Sequence, residues 1–149
     1  MACPEKLLIL GAGPEEEKLK RLIKKLDMSS EIMLLGRKNN VFDYLRSAEA
    51  FVMSSNYEGL PNALIEAMAV GLPVISTDFF TGAAAELIDE SNGFLVPVGE
   101  MEKMKIAISK MITVSQENRL SMGCSSLKKV KEMNVTKIVE EWNYLMDMK

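Results

Sequence analysis

The sequence predicts an α/β protein built on a doubly wound parallel sheet of about five strands. Short apolar runs at residues 6–10, 31–35, 49–53, 73–76 and 93–96 alternate with segments of helical periodicity. The runs are continuously apolar, which is typical of parallel strands that are covered by helices on both faces. Ligands of such sheets bind at the carboxyl ends of the strands.

Length and composition favour one globular domain. We expect 149 residues to form a Rossmann-like core in residues 1–112 and further helices in 113–149. A net charge of −3 without a basic run argues against a nucleic-acid surface, and the absence of histidine excludes Ser-His-Asp hydrolysis. No apolar run approaches the ~20 residues that span a membrane, and the two cysteines indicate a reduced, cytoplasmic protein.

The first strand is followed by Gly11-Ala-Gly13, which suggests a dinucleotide-binding turn. The third glycine of that fingerprint is missing, and three glutamates at 15–17 begin the next helix, where they would repel a pyrophosphate. A nicotinamide-dependent enzyme therefore stays a competing but disfavoured interpretation. Further along, residues 78–85 are predicted as a loop before a short helical turn at 86–88. Helices are predicted after residue 100, over 115–133 and over the apolar stripe from Val135 to Met146.

The segment 54–78 carries the candidate site. Glu58 and Glu66 are eight positions apart, separated by a Gly-Leu-Pro-Asn turn, and Pro61 is suited to the first turn of a helix. We expect the free amides of residues 62–64 to suit a phosphate, and a carboxylate such as that of Glu66 to accept hydrogen bonds from vicinal sugar hydroxyls. Taken alone, two solvated surface glutamates would be the simpler interpretation.

This segment resembles the Glu-x7-Glu motif of retaining GT-B glycosyltransferases (glycosyltransferase family 4, glycosyl transferases group 1) of the bacterial capsular and lipopolysaccharide type. The resemblance covers nearly the whole chain and implies the sugar-nucleotide half of a hexosyltransferase (EC 2.4 class). Glu58 would be the catalytic residue at the donor sugar, with a UDP- or GDP-sugar as donor substrate and neither cofactor nor metal ion. The donor-binding residues that the resemblance implies are Glu66, Gly59, Leu60, Pro61, Asn62, Ala63, Leu64, Gly36 and Arg37.

The resemblance implies that two parts of the family's enzymes lie outside this sequence. These are the first strand–helix unit, whose loop supplies an Arg and a Lys to the diphosphate, and the amino-terminal domain that binds the saccharide or lipid-linked acceptor. We therefore expect the chain to be part of a longer enzyme and inactive alone, or else a non-catalytic sugar-nucleotide-binding or assembly module. The missing domain could hold the protein at the inner face of the plasma membrane, and unpaired strand edges predict a homodimer or larger assembly.

Overall fold

The computed structural model describes residues 5–133, 144 and 146. They divide between Tyr44 and Leu45 into two compact units, each with a parallel sheet of its own. The five predicted strands and their parallel pairing are confirmed within the two sheets. The predicted helical stripe from Val135 onward lies largely outside the described residues.

The first unit is a β-α-β arrangement. Strand β1, Leu7–Leu10, pairs in parallel with β2, Ile32–Gly36, and helix α1, Glu16–Lys25, connects the two. Acidic residues occupy the first turn of α1 and lysines the last, an arrangement that the helix dipole favours. No residue of α1 is buried, and Leu22 and Leu26 are about half exposed. Helix α2, Val41–Ser47, spans the division between the units.

In its described part, the second unit contains three parallel strands in the order β3-β4-β5 and the helices α3 to α6. The central strand, β4, is the most buried, and its first four residues are all buried. In chain order the elements are β3, Phe51–Met53; α3, Asn62–Ala69; β4, Val74–Asp78; α4, Ala83–Leu87; β5, Gly93–Pro97; α5, Met101–Thr113; and α6, Gln116–Glu132.

The core of the second unit lies between the sheet and its helices. Ile75 and Val96 project from β4 and β5 and pack with Ala107 and Met111 of α5. Helix α3 packs against β3, β4 and α6, and Leu64, Ala67 and Met68 of α3 are fully buried. The helix that carries Glu66 is therefore positioned by both the sheet and α6.

Helix α6 approaches the turn after α3 at two glycines. Gly71 has a φ of +82°, and a Cβ placed on Gly123 would lie 2.0 Å from the carbonyl oxygen of Gly71. Any larger residue at position 123 would separate the two backbones. Close contact between α3 and α6 thus depends on glycine at this position.

The predicted bounds of the loop over residues 78–85 are wrong at both ends. Strand β4 continues through Asp78, and α4 begins at Ala83, three residues before the predicted helical turn. Gly82, with a φ of +73°, stands immediately before α4 and lets the chain turn sharply into it. The loop after β4 is consequently only four residues long, which brings its side chains close to the sheet edge.

Candidate functional site

The candidate site lies at the carboxyl edge of the second sheet. β3 and β4 are parallel, so the loops that follow them, residues 54–61 and 79–82, leave the sheet at the same edge. Both loops contribute side chains or backbone groups around Glu58. This is the edge at which doubly wound sheets bind ligands.

Three hydroxyl groups hold the Glu58 loop in place. Ser55 Oγ donates a hydrogen bond to Glu58 Oε1 at 2.7 Å, and Thr81 Oγ1 donates to the backbone oxygen of Glu58 at 3.0 Å. Thr77 Oγ1, at the end of β4, donates to the backbone oxygen of Ser55. Within the described residues, Glu58 Oε2 accepts no hydrogen bond and Glu58 forms no ion pair. One carboxylate oxygen is thus fixed and the other remains available to a ligand.

The sequence does not reveal these hydroxyl residues as part of the site. Serine and threonine are common in loops and strands, and only the parallel pairing of β3 with β4 brings Thr77 beside Ser55. The sequence places Thr81 in a loop after a strand, which suggests a position near the site. It does not show that Thr81 binds the backbone of Glu58.

The amides at the start of α3 differ from the prediction. The N–H of Asn62 donates to the oxygen of Leu60, and the N–H of Leu64 donates to that of Pro61, so neither of these amides is free. Pro61 is buried and stands just before the helix rather than in its first turn. Of the three amides that were predicted to be free, that of Ala63 donates no hydrogen bond within the described residues.

Within the described residues, the free amides of this turn are those of Gly59, Leu60 and Ala63, which donate no hydrogen bond. Their side chains are exposed, or absent in glycine. The free donors of this turn therefore lie mainly in the loop before α3, whereas the prediction placed them in the first turn of the helix.

Glu66 lies in the second turn of α3 between the buried residues Leu64 and Met68. Its side chain is partly exposed and forms no hydrogen bond or ion pair within the described part of the chain. Within the described residues, neither glutamate is held in a buried salt bridge. We expect the two carboxylates to face one cleft, and this stays a prediction.

Gly36 and Arg37 belong to the first unit. Gly36 ends β2 with a φ of +67°, and the exposed Arg37 follows it in the loop at the carboxyl end of that strand. Their predicted role in binding the donor nucleotide sugar stays a prediction.

An ion pair lies at the opposite edge of the second sheet. Asp89 precedes β5, and Lys129 of α6 donates a 2.7 Å hydrogen bond to its Oδ2. This contact, together with hydrogen bonds from Ser91, lowers the pKa of the Asp89 carboxyl to about 2. Because the pair lies beyond the amino end of β5, it fastens α6 to the sheet away from Glu58.

The fold is that of the Rossmann-like carboxyl-terminal domain of a GT-B glycosyltransferase. The fold is similar to that of TarM from S. aureus, with a TM-score of 0.85 at 24% identity over 94% of this chain and 28% of TarM. It is also similar to the pneumococcal O-GlcNAc transferase GtfA, solved with UDP and GlcNAc, with a TM-score of 0.77 at 26% identity over 96% of this chain and 29% of that chain.

The chain belongs to the family of glycosyl transferases group 1, whose model matches residues 4–126. It is 34% identical to an uncharacterized glycosyltransferase of Methanocaldococcus jannaschii, over 95% of this chain and 42% of the relative. It is 36% identical over 72% of its length to 29% of a Campylobacter jejuni N-acetylgalactosaminyltransferase that acts on a diphospho-undecaprenol saccharide. The chain thus spans about two fifths or less of the length of these relatives. Within the described residues, no helix combines the length and apolar character needed to cross a membrane.

Proposed function

We propose that this chain is the donor-binding part of a retaining glycosyltransferase. The enzyme would move a hexose from a nucleoside diphosphate sugar to a saccharide or lipid-linked acceptor in surface polysaccharide synthesis. The observation that carries the proposal is Glu58: its carboxylate is held at the carboxyl edge of the sheet with one oxygen unpaired. Relatives named for lipopolysaccharide core and amylovoran biosynthesis support the assignment to surface polysaccharides.

Each group at the site has a proposed role. Glu58 Oε2 accepts a hydrogen bond from a hydroxyl of the donor sugar, where charge develops during transfer. The amides of Gly59, Leu60 and Ala63 donate to the diphosphate, and Glu66 accepts hydrogen bonds from the two ribose hydroxyls. These roles require an unpaired carboxylate before the amides and another after them, which is the order along the chain.

We propose that the diphosphate is neutralised without a metal ion. The free amides supply only partial positive charge, whereas charge-assisted contacts are the strong ones. We propose that the balancing cations and the acceptor site are supplied largely by protein outside residues 1–149. On this account residues 1–149 alone bind a donor weakly, catalyse no transfer and act in the cytoplasm.

Calorimetric titration of residues 1–149 with a panel of nucleotides tests the proposal. The panel is UDP, GDP, UDP-glucose, UDP-galactose, UDP-N-acetylglucosamine, GDP-mannose and NAD. We expect at least one sugar nucleotide to bind and NAD not to bind. Preference for NAD, or no binding of any sugar nucleotide at millimolar concentration, would contradict the proposed function.

A further inference from the structure

The hydroxyl groups around Glu58 form a connected set between two loops and a strand. Ser55 and Glu58 both lie in the loop after β3, whereas Thr77 is the next-to-last residue of β4 and Thr81 lies in the loop after it. The two threonines bind the backbone of the Glu58 loop at Ser55 and at Glu58 itself. The loop is thus fastened at both ends of the segment that carries the carboxylate.

Only one of the three hydrogen bonds reaches the carboxylate. Ser55 donates to Oε1, and Thr77 fixes the backbone of Ser55, so the serine is itself held in place. An ionised carboxylate has only acceptor oxygens, and a hydroxyl donor on one of them restricts rotation of the whole group. The remaining oxygen, Oε2, then points in one direction before any ligand arrives.

Such restriction matters for binding because a preorganised group loses less entropy when its ligand binds. Without Ser55, the Glu58 side chain would regain its rotamers and lose its preferred direction. The loop would keep its backbone position because Thr81 still holds the oxygen of Glu58. Loss of Ser55 would therefore affect groups that Glu58 contacts and spare those that the loop amides contact.

We propose that Ser55 is a positioning residue that orients Glu58 toward the donor sugar. The proposal rests on the proposed function, since it assigns the sugar as the partner of Oε2. Thr77 holds Ser55 in place. The two residues thus affect binding of the sugar half of the donor and leave recognition of the nucleoside diphosphate unchanged.

The measured quantity is the sugar increment, defined as the dissociation constant of UDP or GDP divided by that of the matching sugar nucleotide. It is determined for residues 1–149 by NMR chemical-shift titration, which measures weak binding. In Ser55→Ala we expect the increment to fall by about two- to tenfold, as for loss of one hydrogen bond, with nucleoside diphosphate affinity unchanged. Ser55→Thr keeps the hydroxyl and should restore the increment.

Ser54→Ala is the matched control. Ser54 is the preceding residue, is exposed, and makes no hydrogen bond within the described part of the chain. Its replacement should leave both dissociation constants at the wild-type value. Thermal unfolding of each variant measures any general loss of structure, which would lower affinity for the nucleoside diphosphate and the sugar nucleotide alike.

The outcomes separate the two proposals. If the wild type shows a sugar increment and Ser55→Ala shows the same increment, the positioning role is overturned and the proposed function stands. An equal loss of affinity for UDP and for its sugar nucleotides would also overturn it, because it indicates a structural role. Absence of any increment in the wild type would overturn the proposed function and the inference together.

Discussion

Replacing Gly123 by alanine should destabilise the protein although alanine is the better helix former. In the interior of α6, alanine is intrinsically favoured over glycine by about 1 kcal/mol. Against this gain, the new Cβ would lie 2.0 Å from the oxygen of Gly71, and real Cβ contacts stay beyond 3.0 Å. The helix must therefore move by about 1 Å.

This movement of the helix costs more free energy than the better helix propensity of alanine supplies. Overpacking typically costs about 1–3 kcal/mol, and here the clash is with backbone, which cannot rotate away. A gap of this size also forfeits about a quarter to a half of each dispersion contact between α3 and α6. We expect a net loss of about 2 kcal/mol in the free energy of unfolding.

Urea unfolding followed by circular dichroism measures the effect. A slope of about 1–3 kcal/mol per molar urea converts the loss into a midpoint about 1 M lower. Ser121→Ala, at an exposed position of the same helix, reports the gain in helix propensity alone and should leave the midpoint equal or slightly higher. A Gly123→Ala variant as stable as the wild type would refute the argument from close approach.

The neighbouring aromatic residues should differ sharply: Phe79→Ala, at 1% exposure, should cost about 3–5 kcal/mol in urea unfolding, and Phe80→Ala, at 93% exposure, less than about 0.5 kcal/mol. Ser126→Ala should stabilise the protein by about 1 kcal/mol, because the buried Ser126 hydroxyl has no hydrogen-bond partner in the described residues; an unchanged or lower urea midpoint would contradict this. The lowered pKa of Asp89 means that its pair with Lys129 stabilises the fold above about pH 4, and that this contribution is lost as pH falls toward 2. The contribution is below about 1 kcal/mol because the Asp89 side chain is more than half exposed to solvent, and in an NMR titration Lys129→Gln should raise the pKa of Asp89 toward 3.8. Finally, light scattering should show a dimer or larger assembly, and a monomer at high micromolar concentration would count against unpaired strand edges as recruiting surfaces.

The strands could be predicted because each is a short, continuously apolar run. Phe51–Met53 lies within the predicted run 49–53, and Val74–Asp78, which pairs with it in parallel, overlaps the predicted run 73–76 and continues two residues beyond it. The position of α4 could not be predicted in the same way. Its first residues are alanines that follow a glycine, and a helix of five residues gives too little periodicity to locate its start.

The sequence identifies Glu58 and Glu66 as candidate site residues but does not identify the groups that hold Glu58 in place. Glu58 and Glu66 are identified by their spacing around the turn, and the structure leaves both without ion pairs within the described residues. The hydrogen bonds of Ser55 and Thr81 join residues that are 3 and 23 positions from Glu58. Contacts of that kind depend on which strands are neighbours and leave no periodic pattern in the sequence. The amides of the turn were misassigned for a related reason, since backbone hydrogen bonds within a tight loop depend on its particular dihedral angles.

The measurement that tests the central claim most directly compares Glu58→Gln with Glu66→Gln in binding of free nucleoside diphosphate and of its sugar nucleotide by residues 1–149. Loss of a charged hydrogen bond typically costs ~1.5–3 kcal/mol, or roughly ten- to hundredfold in affinity. Glu66→Gln should reduce the affinity for the free nucleoside diphosphate by that factor. Glu58→Gln should leave this affinity unchanged and reduce only the sugar increment. Glu90→Gln, at an exposed position before β5, is the control for charge alone. Unchanged nucleotide binding in Glu66→Gln, or equal weakening by all three substitutions, would contradict the assignment of these glutamates to the two sugars of the donor.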